Sequence, residues 1–355
     1  MTTCSRQDAP PKASSDPMTV RAASDCPDWR SFLAGRDDAS IYCDPRWGEV
    51  MHRAYGNRPH YLTACRGPEI VGALMLIEQR SFLFGRHLCS VPYFDAVGAL
   101  GEGQEATSAL LAEAESLRLA VKAEHVELRQ LSPLEGLPAR TDKLTLWLDL
   151  PSESEALWDG LKAKVRNQVR KAEKAGMTAE TGGAELLGAF HSVYVRNMRD
   201  LGSPPHSRRF YRLILDVFGE AAALHVVRLD SRPVAASLTL TDAGATHVPW
   251  AGSDWRYRSD CPNMLLYWSM LRGACGRSPR FDFGRSSTDS GTLKFKRQWG
   301  AADVPLYWHY LPPDDADPTA LGPDSAKYRL LTAAWRRLPV GAARMIGPRI
   351  ISKLS

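Results

Sequence analysis

One succession of elements occurs twice along this chain, and that repetition limits the fold more than any single motif. Residues 61–65 (YLTAC), a polar turn and residues 70–76 (IVGALML) form a hairpin-like pair of strands. Residues 224–229 (LHVVRL), the turn 230–233 (DSRP) and residues 234–240 (VAASLTL) form another. Each pair leads to a Val-Pro-aromatic strand, Val91-Pro92-Tyr93 in the first case and Val248-Pro249-Trp250 in the second. A helical stretch follows, over 105–123 and then 263–274, and after it a further strand, 126–129 and then 281–283. A unit of strands, loop, helix and strand met twice predicts two similar α/β domains. At 355 residues the chain is long enough to give each its own core. The expected divisions are a disordered leader over 1–18, a first domain over 19–150, a second over 151–310 and a basic tail over 311–355.

Composition narrows the class. With 44% hydrophobic and 24% charged residues the chain reads as an ordinary soluble protein, and at a net charge of +5 the placement of charge matters more than its total. Seven cysteines (Cys4, Cys26, Cys43, Cys65, Cys89, Cys261, Cys275) are odd in number, widely spaced and free of any CxxC pair. That argues for a reducing compartment and against a disulfide framework or a structural zinc site. The histidines form no HExxH and no pair at ligand spacing, so no metal is expected. No transmembrane span is visible, and residues 1–20 are polar and proline-containing rather than a signal peptide, which makes the cytoplasm the expected location.

Cations gather in three places. Over 281–300 (FDFGRSSTDSGTLKFKRQWG) Asp282, Arg285, Lys294, Lys296 and Arg297 lie among strand-like residues. The spacing predicts a buried strand end at Phe281-Asp282-Phe283, a polar loop over 284–291 and a second strand over 292–299. On that strand Lys294, Lys296 and Gln298 share one side, and Leu293, Phe295, Arg297 and Trp299 the other. Such a lysine either lies on a solvated edge or faces an anion, since an unpaired buried ammonium is expensive. Asp282 and Arg285 either pair with each other, or Arg285 holds a phosphate. Over 152–176, Ser152 and Glu155 read as a capping box and Gly176 as the stop of one helix. Its core side is Leu161, Val165, Val169 and Ala172, and Lys162, Lys164, Arg166, Arg170, Lys171 and Lys174 make a basic face. That face either meets water or, through Arg166, Arg170 and Lys171, receives a phosphate-bearing substrate or an RNA backbone. After an acidic, proline-rich linker ending at Asp324, residues 325–355 carry Lys327, Arg329, Arg336, Arg337, Arg344, Arg349 and Lys353 and no acid. Tyr328, Leu331, Trp335, Leu338, Met345, Ile350 and Ile351 interleave with them. The pattern fits either a helix docked on the body or an interfacial helix drawn to an anionic surface, which would hold the protein at the inner face of the membrane.

Four stretches taken together resemble the FemAB-related family of tandem acetyltransferase-like proteins: VRNQVRKAEKAG at 165–176, RPVAASLTL at 232–240, SDCPNMLLYWSML at 259–271 and the stretch 281–300. The likeness is greatest to the bacterial subgroup that accompanies exosortase and exopolysaccharide loci. It is dense over 150–305 and thinner over 40–150. It implies two tandem GNAT-like domains, each a mixed, mostly antiparallel sheet flanked by helices, in agreement with the repeat. The activity it implies is acyl or aminoacyl transfer to an amine of a cell-envelope or exopolysaccharide precursor. Aminoacyl-tRNA or acyl-CoA would be the co-substrate, with no permanently bound cofactor.

An amine attacking an ester or thioester needs a proton acceptor, and the tetrahedral intermediate needs a cation or N–H at its oxyanion. By the resemblance, Lys296 after Phe295 matches the family's lysine and is the leading residue for the donor's carbonyl or phosphate. Asp95, after the first Val-Pro-aromatic strand, matches its aspartate and would act as base or orient the amine. The subgroup's glycine pair is replaced here by Ala96-Val97-Gly98, which keeps a loop cap as the alternative for Asp95. Neither repeat contains the R/Q-x-x-G-x-G/A loop that cradles the pyrophosphate of coenzyme A. At the equivalent place Arg256 and Arg258 precede a helix opening at Asn263; with Trp250 and Arg285 they complete the candidate donor-binding set. A Cys261 nucleophile is disfavoured, since no histidine is close in sequence. Two other functions stay open. One is a non-catalytic scaffold binding a lipid-linked or RNA ligand in an envelope assembly system, for which a cleft filled by side chains would speak. The other is a nucleic-acid-binding protein, although no recognisable module accompanies the basic helix.

Overall fold

The strand pairs of both repeats form where apolar runs are bounded by turn residues. The computed structural model describes residues 16–23, 28–81, 85–288, 291–312 and 326–353. The first half contains β1 (Met18–Ala23), α1 (Trp29–Leu33), α2 (Arg46–Tyr55), β2 (Arg58–Arg66), β3 (Glu69–Ser81), β4 (Gly85–Ser90), β5 (Leu100–Gly101), α3 (Gln104–Val121) and β6 (Val126–Gln130). The second opens with β7 (Lys143–Asp149), α4 (Ser154–Gly160), α5 (Ala163–Lys174), β8 (Met177–Gly182), α6 (Leu187–Leu201) and α7 (Arg208–Phe218). It continues through β9 (Ala222–Leu229), β10 (Arg232–Thr241), β11 (Thr246–Ser253), α8 (Pro262–Ala274), β12 (Arg280–Asp282), β13 (Ser286–Ser287), α9 (Gly291–Arg297), β14 (Ala302–Pro305) and β15 (Tyr307–Leu311). Helices α10 (Ala326–Arg336) and α11 (Val340–Ile351) follow.

Two mixed sheets result. The first runs β1-β2-β3-β4-β6-β15 with β5 beside β3; the second runs β13-β7-β12-β11-β10-β9-β8 with β14 beside β7. The parallel pairs are β4 with β6 and β11 with β12, at the same place in each repeat, where α3 or α8 supplies the crossover that parallel strands require. The sheets do not divide at residues 150 and 310. β7 is hydrogen-bonded into the second sheet, and β15 returns from the second half to pair with β6.

Period-two alternation splits β3 between two cores. Ala73, Met75 and Ile77 face a core shared by both halves, which also takes Leu224 and Val226 of β9 and Ala236, Leu238 and Leu240 of β10. Leu74 and Leu76 face α3 on the other side of the first sheet, while α5 and α8 cover the other face of the second. In the shared core the Phe94 ring lies 4.4 Å from Trp47 and 5.6 Å from Trp250, centroid to centroid. Aromatic contacts of this kind, each about 0.5–1.5 kcal/mol beyond the area they bury, fix one half against the other.

Several expectations give way locally. Residues 292–299 do not form a strand: α9 occupies them, and its buried positions Leu293 and Lys296 lie three apart, with Trp299 three further on. The alternation of lysines with apolar residues imitated period two over a run too short to decide. Residues 152–176 are two helices, because Leu161 and Lys162 take extended backbone (ψ 146° and 140°); the capping box is not formed, α4 having Glu153 at its N-cap without a side-chain bond. Residues 91–93 are not a strand either, since β4 ends at Ser90 and Val91 and Tyr93 take φ of 22° and 79°. Of the expected leader, residues 1–15 lie outside the described residues, as do Cys4, Cys26, the linker residues 313–325 and the side chains of Lys327, Tyr328 and Arg329. Among the described residues no helix is long and apolar enough to cross a membrane.

Candidate active site

The parallel pair of the second sheet is short. Thr246 lies opposite Phe281 and His247 opposite Asp282, after which the two strands part. β11 bends away through a register shift against β10 that falls at Val248-Pro249, where the proline has no N–H to give the ladder. The chain after Asp282 turns at Gly284 (φ +73°), where an added Cβ would lie 2.8 Å from the Val248 carbonyl oxygen, so only glycine fits. Between the two arms opens a cleft of about 260 Å³. Val248, Pro249, Phe283, Gly284, Arg285 and Lys296 line it from the second half, and Tyr42, Tyr93 and Asp95 from the first.

The corresponding pair of the first sheet parts in the same way but is filled. Residues 91–97 fold back into the gap, where Val97 pairs with Arg129 and donates its N–H to the Arg129 carbonyl at 2.9 Å. The buried Arg129 guanidinium donates to the Phe94 carbonyl at 3.0 Å and pairs with Glu127 at 2.6 Å.

Lys296 projects from α9 and is 7% exposed. Its Nζ donates to the carbonyls of Gly284 (2.7 Å) and Arg285 (2.8 Å), resting on peptide oxygens rather than on a carboxylate. Burial pushes its pKa down to about 8; Asp282 and Asp95 resist that fall and Arg285 adds to it. Arg285 does not pair with Asp282. Its guanidinium donates to Asp95 Oδ1 at 2.9 Å, joining the two halves, and sits 5.3 Å over the Trp308 ring.

Asp282 is instead the centre of a buried polar chain. Its Oδ1 accepts from Thr145 Oγ1 (2.5 Å) and the Gly284 N–H (2.8 Å), and its Oδ2 faces His247 Nδ1 at 3.0 Å. The other ring nitrogen, Nε2, lies 3.3 Å from Asp242 Oδ2, which also accepts the Ile41 N–H of the first half at 2.7 Å. Burial alone would lower the imidazole pKa, but the bonds to Asp242 and Asp282 outweigh it and raise the pKa to about 9. His247 is therefore an imidazolium donating from both nitrogens at neutral pH. Burial would raise the two aspartates, yet the His247 charge and their hydrogen bonds hold both below the usual carboxylate range. The Tyr42 ring lies 4.9 Å from His247, and burial, reinforced by Asp282, Asp95 and Asp242, pushes its hydroxyl well up, so the cleft wall carries a neutral phenol.

Of the residues singled out in the sequence, Lys296, Asp95 and Arg285 meet in this cleft. Trp250 lies in the aromatic core, 7% exposed, and Phe295 packs at 5.0 Å on Tyr267, a cleft-lining residue. The remainder are elsewhere. Arg166 donates to the carbonyls of Trp158, Asp159 and Leu161 and so caps α4, Arg170 sits 5.5 Å over the Trp158 ring, and Lys171 is exposed. Arg256 is tied to Asp254 beside a separate groove, Arg258 is exposed, and Asn263 opens α8 with its Oδ1 buried and without a hydrogen-bond partner. Sequence reasoning missed Tyr42, Thr145, Asp242 and His247. His247 alone left a trace, standing directly before the Val-Pro-Trp run.

Residues 160–297, which contain Asp242, His247, Asp282 and Lys296, match the family model of the acetyltransferase (GNAT) domain. A tandem GNAT protein from the clavulanic acid biosynthesis pathway superposes with a TM-score of 0.52 at 12% identity, over 84% of this chain and 100% of that one. The fold is a tandem GNAT fold. Other solved structures of similar shape include FemX (TM-score 0.63, 14% identity, 81% of this chain and 96% of that one) and L-PGS from Bacillus licheniformis (TM-score 0.51, 12% identity, 83% and 98%). No protein of curated function matches the chain in sequence. Within the tandem GNAT frame, the second half carries the matched domain and the open strand pair, and the first half the filled one.

Proposed function

We propose that this protein is an N-acyl- or aminoacyltransferase whose second-half cleft delivers the group to an amine of a cell-envelope or exopolysaccharide precursor. The observation that carries the reading is Lys296, a nearly buried amine held by two peptide oxygens where the parallel strands open. The amine nitrogen attacks the acyl carbon of an ester or thioester, and the carbonyl electron pair moves onto oxygen. The Lys296 ammonium, released from the carbonyls of Gly284 and Arg285, stabilises that oxyanion. Asp95, whose Oδ1 is taken by Arg285, orients the amine and accepts its proton on the other oxygen. The oxyanion pair returns to re-form the carbonyl, the C–O or C–S bond breaks, and the proton held on Asp95 passes to the leaving oxygen or sulfur, releasing the donor's hydroxyl or thiol. An open cleft favours catalysis over a non-catalytic scaffold, whose cleft would be filled as the first-half gap is.

The match over 160–297 speaks for acyl-CoA as donor, and the missing pyrophosphate loop speaks for aminoacyl-tRNA. A thermal-shift screen separates them, because only a ligand of the folded state raises the melting temperature. A rise with acyl-CoA or aminoacyl-tRNA supports the reading, and a rise with neither, or with nucleotide sugars alone, overturns it. We further propose that the protein works at the inner face of the membrane. Helices α10 and α11 expose Leu330, Leu331, Met345, Ile346 and Ile350 along with Arg336, Arg344 and Arg349, the composition of a surface that settles on anionic lipid.

A further inference from the structure

We infer that Tyr93 is a positioning residue that holds Asp95 against Arg285 in the cleft that Lys296 lines, and that it does so from the C-terminal helix α11. The inference rests on reading the cleft as the transfer site. Tyr93 stands two residues before Asp95 in the segment that leaves β4, with φ at +79°. A bulky side chain in that left-handed region is strained by about 1–3 kcal/mol and stays there only where its surroundings dictate it. Here they do. The Tyr93 hydroxyl donates to the Ile351 carbonyl at 2.8 Å, and its ring stands edge-on to His206 at 4.5 Å and to Phe210 at 6.1 Å. Ile351 ends α11, where carbonyls have no partner within the helix, so the phenol satisfies a group that would otherwise need water. The same end of the chain is held by Asn57, whose Nδ2 donates to the Ser352 carbonyl at 3.4 Å.

Helix α11 is itself seated closely. An added Cβ at Gly347 would lie 2.4 Å from Pro205 Cδ, and Ala343 beside it is fully buried. A helix cap alone would require neither the strained backbone at Tyr93 nor its place in the cleft wall. Through one hydrogen bond, the helix that exposes Arg344, Met345 and Ile350 thus reaches the loop that aims Asp95.

The test is the titration of the Lys296 amine by NMR of full-length protein labelled at lysine Cε, with the signal assigned by Lys296→Arg. Asp95→Asn removes a negative charge that favours the ammonium and lowers the midpoint. Tyr93→Phe keeps the ring and loses the hydroxyl. Gly347→Val unseats α11 without touching the cleft. Both are expected to lower the midpoint in the same direction, by about half a pH unit, and Tyr93→Phe combined with Asp95→Asn should lower it no further than Asp95→Asn alone. If Tyr93→Phe folds poorly, Gly347→Val carries the test. A wild-type midpoint in Tyr93→Phe beside a shifted one in Asp95→Asn overturns the role of Tyr93, and so does a midpoint that Asp95→Asn leaves in place. A wild-type midpoint in Gly347→Val overturns the role of α11. None of these readings depends on a donor or on turnover, so the acyl-transfer assignment can fail separately.

Discussion

Asp95 of the first half and Arg285 of the second meet at 2.9 Å across the mouth of the cleft. Their side chains are 15% and 39% exposed, and a pair so open to water contributes about 0–1 kcal/mol to stability. Its value lies in position. Asp95→Asn is expected to change the urea unfolding free energy by less than about 1 kcal/mol while lowering kcat/KM for transfer at least tenfold, about 1.4 kcal/mol of transition-state stabilisation. Equal losses in both measurements would make the pair a structural tie.

Lys296 serves as an ammonium in this account, and its pKa is pushed down to about 8. The transfer rate should therefore bend downward as pH rises through about 8. Lys296→Arg, whose guanidinium stays charged over that range, should lack the bend even where its overall rate is lower. A bend of the same midpoint in both proteins would assign it to another group.

His247 makes stability depend on alkaline pH. Its pKa is raised from about 6.5 in the unfolded chain to about 9 in the fold, so the contribution is fully present below about 6.5 and disappears as pH rises through about 9. Unfolding free energies measured from pH 6 to 10 should fall from about pH 6.5 upward, with the lowered pKa of Lys296 opposing that fall above about 8. Replacing His247 with Gln leaves the buried Asp282 and the half-buried Asp242 without their cation and should cost about 3–5 kcal/mol and flatten the dependence.

The tail gives a prediction about surfaces. Arg344 and Arg349 flank the exposed Met345 and Ile346 on α11. Each cation near an anionic membrane is worth about 1 kcal/mol, so reversing both to Glu should weaken flotation with phosphatidylserine vesicles more than tenfold, and added salt should weaken the wild type likewise. Binding that survives both changes would place the contact elsewhere.

What the sequence disclosed, and what it concealed, follows from the range of the interactions. The hairpins, the crossover helices and the doubling were legible because apolar periodicity is local, and Phe281-Asp282-Phe283 announced a buried strand end that the fold contains in β12. Lys296, Asp95 and Arg285 were each singled out in the sequence, and all three line the cleft. Their meeting was not legible there, since it depends on the first-half loop 91–97 reaching across to the second sheet. The Asp242-His247-Asp282 chain was hidden for the same reason, its members being brought together by the parallel register of β11 and β12. α9 was misread because Lys296 is buried by its methylene stem while its amine finds carbonyls, which no hydrophobicity pattern registers. Arg166 and Arg170 were overvalued because a cation that caps a neighbouring helix or covers a tryptophan resembles one waiting for a phosphate.

Acyl transfer at the opening beside Lys296 is the proposal on which the other roles depend. The most direct test is the rate of amide formation by wild type and Lys296→Ala, using whichever donor raises the melting temperature and an amine acceptor at pH 7. A loss of about 10²–10³-fold is expected in a variant that still melts cooperatively and still binds the donor. Unchanged turnover by that variant would contradict it.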